Sequence, residues 1–176
     1  ANLGPHLGYL PQDVQLLRGT VAQNIARLDE AADDAVIAAA TIAQAHRMIL
    51  QLPGGYDTPV GEGGILLSGG QCRRIGLARA LFGKPRPVVL DEPDAGLDRA
   101  GEQALLRALC DLKGCGATVI VVSHRPSLLA QVDKLLVLDG GRATHFGPHA
   151  EVMQRLTARA EPGPHPVPHL VVGAAA

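Results

Sequence analysis

Aromatic side chains are almost missing from this chain: its 176 residues include no tryptophan, two tyrosines and two phenylalanines. Yet 47% of it is apolar, so a core has to be built from leucine, valine, isoleucine and alanine. Cysteine is scarce as well. Cys72, Cys110 and Cys115 are too few and too irregularly spaced for a disulfide framework or a zinc site, and they read as reduced thiols or core fillers. Neither sign of charge prevails. Sixteen basic residues against seventeen acidic ones leave a net charge of −1, which argues against electrostatic binding of nucleic acid or of a membrane surface. No apolar run approaches the roughly 18 residues that span a bilayer; the longest, around residues 118–122 and 170–172, fall far short. No signal peptide is recognisable, and the chain starts at Ala1 rather than at methionine. A chain of this length predicts one domain, burying about two thirds of the surface its unfolded form exposes.

What the sequence does hold is concentrated in residues 67–98. Leu67-Ser68-Gly69-Gly70-Gln71 sets a hydroxyl and two glycines ahead of an apolar-periodic run through Ile75, Leu77, Ala78, Leu81 and Phe82. Paired glycines let a backbone approach a ligand closely, and a helix start leaves N–H groups free to meet an anion. Val88-Val89-Leu90 is strand-like and ends on two adjacent carboxylates, Asp91 and Glu92, before Pro93 forbids further pairing. Successive strand side chains point to opposite faces, so the two carboxylates need not share one task. Ala95-Gly96-Leu97-Asp98 follows.

In this order and at this spacing, the three pieces resemble the signature motif, the Walker B strand and the D-loop of the ATP-binding-cassette (ABC) ATPases. The resemblance implies an α/β fold of the P-loop NTPase-like ABC ATPase type with an α-helical subdomain. It also implies ATP and Mg²⁺ as cofactors, a second nucleotide-binding domain in a head-to-tail dimer, and an exporter's transmembrane domain as partners, with no role for nucleic acid.

Before the signature, residues 7–11 predict a short strand followed by Gln12. By its residue type alone Gln12 reads as a polar strand-end residue in a turn; in the ABC resemblance it is the glutamine that senses the γ-phosphate and the metal. Thr20 is a good N-cap for a helix over 21–27, with Gln23 at the capping-box position. Asp33 and Asp34 open an amphipathic helix carrying Val36, Ile37, Ala40, Ile42 and Ala43, with His46 expected on the same helix as a surface or core residue. Pro53-Gly54-Gly55-Tyr56 breaks the pattern. Residues 20–64 have the size and helix content of the ABC helical subdomain, which docks on a transmembrane partner. Gly61-Glu62-Gly63-Gly64 is by itself a flexible glycine turn with one charge; ABC exporters carry a similar element there, thought to touch the membrane domain.

After the signature glutamine, family members often have Arg-Gln-Arg, and Cys72-Arg73-Arg74 departs from that while keeping the positive charge. Cys72, at a helix start, reads as an inert thiol in preference to an activated one. Residues 99–113 predict a helix with Leu105, Leu106, Leu109 and Leu112 on one face, ended by Gly114 and Gly116. Residues 118–122 are a continuous β-branched run, expected as a strand buried on both faces, ending at Ser123-His124. Ligands sit at the carboxyl ends of parallel strands, and His124 matches the switch histidine of the family. Residues 135–138 and 142–146 predict a hairpin about Gly140-Gly141, then a helix over 148–159. His145, His149, His165 and His169 lack carboxylates or cysteines at ligand spacing and are not read as metal ligands. Prolines at 162, 164, 166 and 168 make residues 161–176 an expected disordered tail.

A P-loop requires Gly-x-x-x-x-Gly-Lys-Ser/Thr, whose backbone N–H groups and lysine cradle phosphates. The only Gly-Lys pair is Gly83-Lys84, with Ala78 where the first glycine belongs and Pro85 where the hydroxyl belongs. The domain is therefore expected to be incomplete over residues 1–160, lacking the N-terminal β-subdomain and the Walker A strand, loop and helix. Residues 65–160 would be the remainder of the catalytic core. The local wording around residues 8–12 and 24–27 looks most like the ATP-binding permeases of bacterial type I secretion systems, at the cytoplasmic face of the inner membrane.

By the resemblance, Glu92 and His124 would be catalytic, the first polarising the attacking water and the second contacting the γ-phosphate. Asp91 and Gln12 would serve the metal. Ser68, Gly69, Gly70, Gln71 and Asp98 would close on ATP held by the partner subunit, whereas Gln12 would serve this subunit's own nucleotide. The isolated fragment would be inactive, and loss of the P-loop strand would leave an apolar sheet edge exposed and solubility poor. The alternative function is a catalytically inactive ABC remnant, an interaction module whose helical block binds a membrane partner. A chromosome-maintenance ABC ATPase is disfavoured, because those carry a long coiled coil between the glutamine and the signature.

Overall fold

The computed structural model describes residues 4–62, 66–158 and, for the backbone alone, 169–174. Gly63 and Gly64 of the glycine turn, and residues 161–168, 175 and 176 of the expected tail, lie outside the described residues.

After a 3-10 turn at Gly4–His6, the strand β1 (Gly8–Leu10) leads through a turn to β2 (Gly19–Thr20) and the short helix α1 (Val21–Ile25). Thr20 caps α1 with both bonds of the capping box: Gln23 N donates to Thr20 Oγ1, and Thr20 N donates to Gln23 Oε1. The helix α2 (Asp33–Ile42) follows, started by its acidic pair. It stops earlier than the apolar pattern suggests. Gln44 takes a left-handed backbone (φ 55), so His46 opens a separate helix, α3 (His46–Leu50), instead of riding on α2. His46 Nδ1 lies 2.8 Å from the Tyr56 hydroxyl, which anchors the loop that breaks the pattern. A 3-10 turn at Gly55–Asp57 and β3 (Pro59–Val60) then bring the chain back to pair antiparallel with β2.

Helix α4 (Gly69–Leu81) is longer than any helix before it and buries Ile75, Leu77, Ala78 and Leu81 at under 5% exposure. Each of the three large aliphatic side chains contributes about 1.5–3 kcal/mol. Two glycines let the helix sit this close. A Cβ on Gly8 would lie 2.5 Å from Ala80 O, and one on Gly76 would lie 2.6 Å from Val14 Cγ1. The far end of α4 is closed by Arg27, whose guanidinium donates to Arg79 O and Ala80 O at 3.2 Å and to Gly4 O at 2.7 Å. A cation on the last carbonyls of a helix is the favourable sign for its dipole. Burial, with Arg27 alongside, pushes the Arg79 guanidinium below its usual range.

The strand β4 (Pro87–Asp91), helix α5 (Arg99–Gly114) and strand β5 (Thr118–Ser123) complete a parallel set, β1 beside β4 and β4 beside β5. Register explains which faces are covered. Leu10, Leu90 and Val121 stand in one row, and all three are buried under α4 and α5. Tyr9, Val89 and Ile120 stand in the next row and point the other way, where Tyr9 is 52% exposed. The expectation that residues 118–122 are buried on both faces is thus corrected: Val119 and Val121 are buried, but Ile120 and Val122 are only half-buried.

The turn-like helix α6 (Pro126–Leu129) leads to β6 (Lys134–Asp139) and β7 (Arg142–Pro148), an antiparallel hairpin with a bulge between Val137 and Leu138. Gly140 and Gly141 both have positive φ (54 and 75), as a two-residue hairpin turn requires. Helix α7 (His149–Ala158) packs back on this hairpin through Val152.

The expected disordered tail is overturned over its last stretch. Residues His169–Ala174 form a strand, β8, pairing antiparallel with β5 on one side and β6 on the other. The sheet order is β1-β4-β5-β8-β6-β7, so the edges are β1 and β7 and no central edge is left bare. The short apolar run Leu170-Val171-Val172 supplies backbone hydrogen bonds to two strands at once. Ending the chain at residue 168 should therefore open two unpaired strand edges. A drop in Tm of about 5 °C or more, together with concentration-dependent aggregation in light scattering, is the expected result; an unchanged melt would mean β8 contributes no stability.

Candidate active site

The parallel register sets the carboxyl ends of β1, β4 and β5 level, Leu10 opposite Leu90 and Asp91 opposite Val122. The chain leaving those ends delivers Gln12, Glu92 and His124 to one edge of the sheet. Gln12 Nε2 donates to Glu92 Oε2 at 2.8 Å, and His124 Nδ1 lies 3.8 Å from Glu92 Oε1. The Glu92 side chain is 22% exposed and that of His124 57%, so a sheltered carboxylate sits between an amide donor and an imidazole open to solvent. That arrangement suits a proton acceptor beside a group able to touch a bound ligand.

Glu92 reaches this place through its backbone. Its φ is 42, a left-handed conformation that non-glycine residues rarely adopt, and its N–H still donates to Val122 O at 2.9 Å. The bend ends the strand alternation and separates Glu92 from Asp91. Asp91, the last residue of β4, is half-buried, and its side chain makes no hydrogen bond or ion pair among the described residues.

Among the described residues no three histidine, cysteine, aspartate or glutamate side chains are grouped to hold a metal ion. Mg²⁺ does not require such a cage, because it keeps several waters and takes one or two protein oxygens plus phosphate. The Asp91 carboxylate and the Gln12 side-chain carbonyl are hard oxygen donors at the same sheet edge, and they fit that donor set.

Ser68, Gly69, Gly70 and Gln71 lie apart from this cluster, at the start of α4. Ser68 is the N-cap, accepting from Gln71 N at 3.3 Å, while Ser68 N donates to Gln71 Oε1 at 2.8 Å. Neither Ser68 nor Gly69 is buried, and a Cβ on Gly69 would meet nothing within 4 Å, so the glycine pair is open to a ligand. Asp98 caps α5, with Gly101 N donating to its Oδ1 at 2.7 Å. Cys72 is half-buried, and burial pushes its thiol up, which accords with an inert side chain.

Three residues in this region escape a reading of the sequence. Arg73 donates to Glu92 O at 2.5 Å and to Gln12 O at 2.9 Å, while the Nε of its neighbour Arg74 is buried without a partner. Asp94, only 2% exposed, accepts from Ser123 Oγ at 3.0 Å and pairs with Arg125 Nε at 2.9 Å. Arg125 also donates its backbone N–H to Ser123 Oγ and lies 3.8 Å from Glu102. Asp94 thereby ties the segment leading to Asp98 to the segment carrying His124. No spacing signals a pairing across about thirty residues; the one available hint is a carboxylate placed where the chain has just left a buried strand.

A sequence model of the family described as ABC transporter matches residues 1–95, more than half of the chain. The chain belongs to the ABC transporter family. It is 53% identical over 152 residues to a type I secretion system ATP-binding protein, PrsD, of Rhizobium meliloti, covering 86% of this chain and 26% of that protein. It is 41% identical over 157 residues to the cyclolysin secretion/processing ATP-binding protein CyaB of Bordetella pertussis, covering 87% of this chain and 22% of the other. Among solved structures it is similar to a bacterial Atm1-family ABC exporter with ATP bound. There the TM-score is 0.77 and the identity 36%, over 92% of this chain and 30% of that one. The chain thus spans about a quarter of the length of these ABC relatives.

The buried Asp94 carboxylate gives a stability test of the ABC site's frame. Removing one partner of a buried pair leaves the other uncompensated, and Asp94→Ala should cost roughly 2–4 kcal/mol, discounted because the Arg125 side chain is partly exposed. Urea unfolding with an unchanged m-value measures it; a loss below about 0.5 kcal/mol would show the pair is dispensable.

Proposed function

We propose that this chain is the C-terminal part of the ATP-binding and hydrolysing subunit of an ABC exporter, coupling ATP hydrolysis to transmembrane export, with type I protein secretion as the process. The observation that carries the reading is the Gln12–Glu92–His124 cluster at the level ends of three parallel strands. The names of the PrsD and CyaB relatives support the secretion part of it.

Mechanistically, Glu92 orients and polarises a water for attack on the γ-phosphate, accepting its proton. Gln12 holds one Glu92 oxygen by its amide, leaving the other facing His124, and His124 contacts the γ-phosphate from the exposed side. Mg²⁺, held by Asp91 and Gln12, would neutralise charge on the phosphates. Ser68, Gly69, Gly70 and Gln71, with Asp98, present helix-start N–H groups to ATP held by a second nucleotide-binding domain. Residues 20–64 dock on the exporter's transmembrane domain, which places the chain at the cytoplasmic face of the inner membrane. No loop for cradling phosphates stands beside Glu92 in this sequence, so one chain supplies two half-sites and completes neither.

The test mixes this chain with a full-length subunit whose own signature motif is disabled. Recovered ATPase activity of at least about tenfold, equal to 1.36 kcal/mol in the barrier, is expected, and Ser68→Arg in this chain should abolish it. A folded chain, verified by a cooperative melt, that restores nothing would overturn the reading. That outcome, with binding retained, would favour a self-contained interaction module. β8 gives that second reading its support, because it fills the place between β5 and β6 from within this chain.

A further inference from the structure

We propose that Arg73 is a positioning residue for Glu92, and that it couples the start of α4 to the carboxylate at the end of β4. Its role as a link to catalysis rests on the reading of Glu92 as proton acceptor given above; the linkage itself does not.

The geometry is a closed triangle. Arg73 Nη1 donates to the main-chain carbonyl of Glu92 at 2.5 Å, and its Nη2 donates to the main-chain carbonyl of Gln12 at 2.9 Å. The third side is the side-chain bond from Gln12 Nε2 to Glu92 Oε2 at 2.8 Å. One guanidinium therefore fixes the backbones of both residues whose side chains meet over the site. A planar fork suits two carbonyls at once, which a lysine ammonium on a flexible stem does not reproduce.

The Glu92 carbonyl requires such a partner. The left-handed φ of 42 is costly for glutamate and persists only where surroundings over-determine it. Three bonds do so: Glu92 N to Val122 O, Ala95 N to Glu92 O at 3.1 Å, and Arg73 to the same oxygen. Val122 belongs to the neighbouring strand β5 and Ala95 to the turn after β4, so of the three only the Arg73 bond comes from a helix. It comes from α4, five residues after Ser68. A shift of α4's first turns on meeting a ligand at Ser68, Gly69 and Gly70 would be carried by this fork to Gln12 and Glu92. Arg73 thus joins the start of α4 to the Gln12–Glu92 pair.

Amide exchange by NMR on the 176-residue chain tests this without any nucleotide, so its outcome is independent of whether Glu92 acts as a base. Arg73→Gln, Arg73→Lys and, as a control, Arg107→Gln on the exposed side of α5 are compared. In Arg73→Gln the amides of Glu92 and Ala95 should exchange at least tenfold faster, and the side-chain amide signal of Gln12 should lose its hydrogen-bonded shift. The amides of residues 77–81 should keep their rates, as should all of these in the control. Arg73→Lys should fall between, keeping one of the two bonds. Unchanged exchange at Glu92 and Ala95, or an equal increase along α4, would overturn the proposal. If Arg73→Gln does not fold, Arg73→Lys decides alone: selective opening at Glu92 and Ala95 supports the linkage, and its absence refutes it.

Discussion

The level ending of three parallel strands is the constraint on which the rest of this structure depends. Gln12, Asp91, Glu92 and His124 are up to 112 residues apart in sequence, and nothing local brings them together. The ladder does: Leu10 opposite Leu90 and Asp91 opposite Val122 leave no freedom about where the following residues emerge. Because side chains alternate along each strand, a slip of one residue would turn Leu10, Leu90 and Val121 out of the core, so burial of those three enforces the alignment. The apolar core and the polar cluster are two consequences of one register.

Helix α4 is the second fixed member, and the way it is held explains its unusual closeness to the sheet. Gly8 and Gly76 remove side chains where α4 crosses β1 and its following turn. Polar groups then fasten the same crossing. Arg73 binds the Gln12 carbonyl, Arg79 binds the Gln15 carbonyl at 3.1 Å, and Arg27 closes the helix's last carbonyls. Each of these arginines meets main-chain oxygens instead of carboxylates, so the frame is insensitive to protonation of acidic side chains. The helix that opens with the family's signature is for this reason rigidly seated on the segment carrying Gln12.

Much of this was legible in the residues. The capping box at Thr20 follows from a hydroxyl three residues ahead of a glutamine, and the hairpin follows from Gly140 and Gly141. Strand ends were legible where apolar runs stop on charged or polar residues, as at Asp91 and Ser123. Three kinds of feature were not. The break after Ile42 depends on a left-handed Gln44, which no periodicity announces. The less buried row of Tyr9, Val89 and Ile120 depends on which face receives helices, a tertiary fact. β8 was hidden by its neighbours, since prolines dominate the composition around a short apolar run that finds two partners only in the folded sheet. The same limit applies to Arg73, Asp94 and Arg125, whose partners are distant in sequence and share no spacing rule.

On the proposed reading the chain holds two incomplete half-sites: a proton acceptor with its supporting amide and imidazole, and a signature end that serves a neighbour. The most direct test of that reading is the release of radiolabelled phosphate from γ-labelled ATP by the purified 176-residue chain alone, across a range of concentrations. The account predicts no release above the level given by the Glu92→Gln variant at any concentration. Turnover by the unaided chain that Glu92→Gln abolishes would contradict it, since a working site would then exist without the phosphate-cradling loop the sequence lacks.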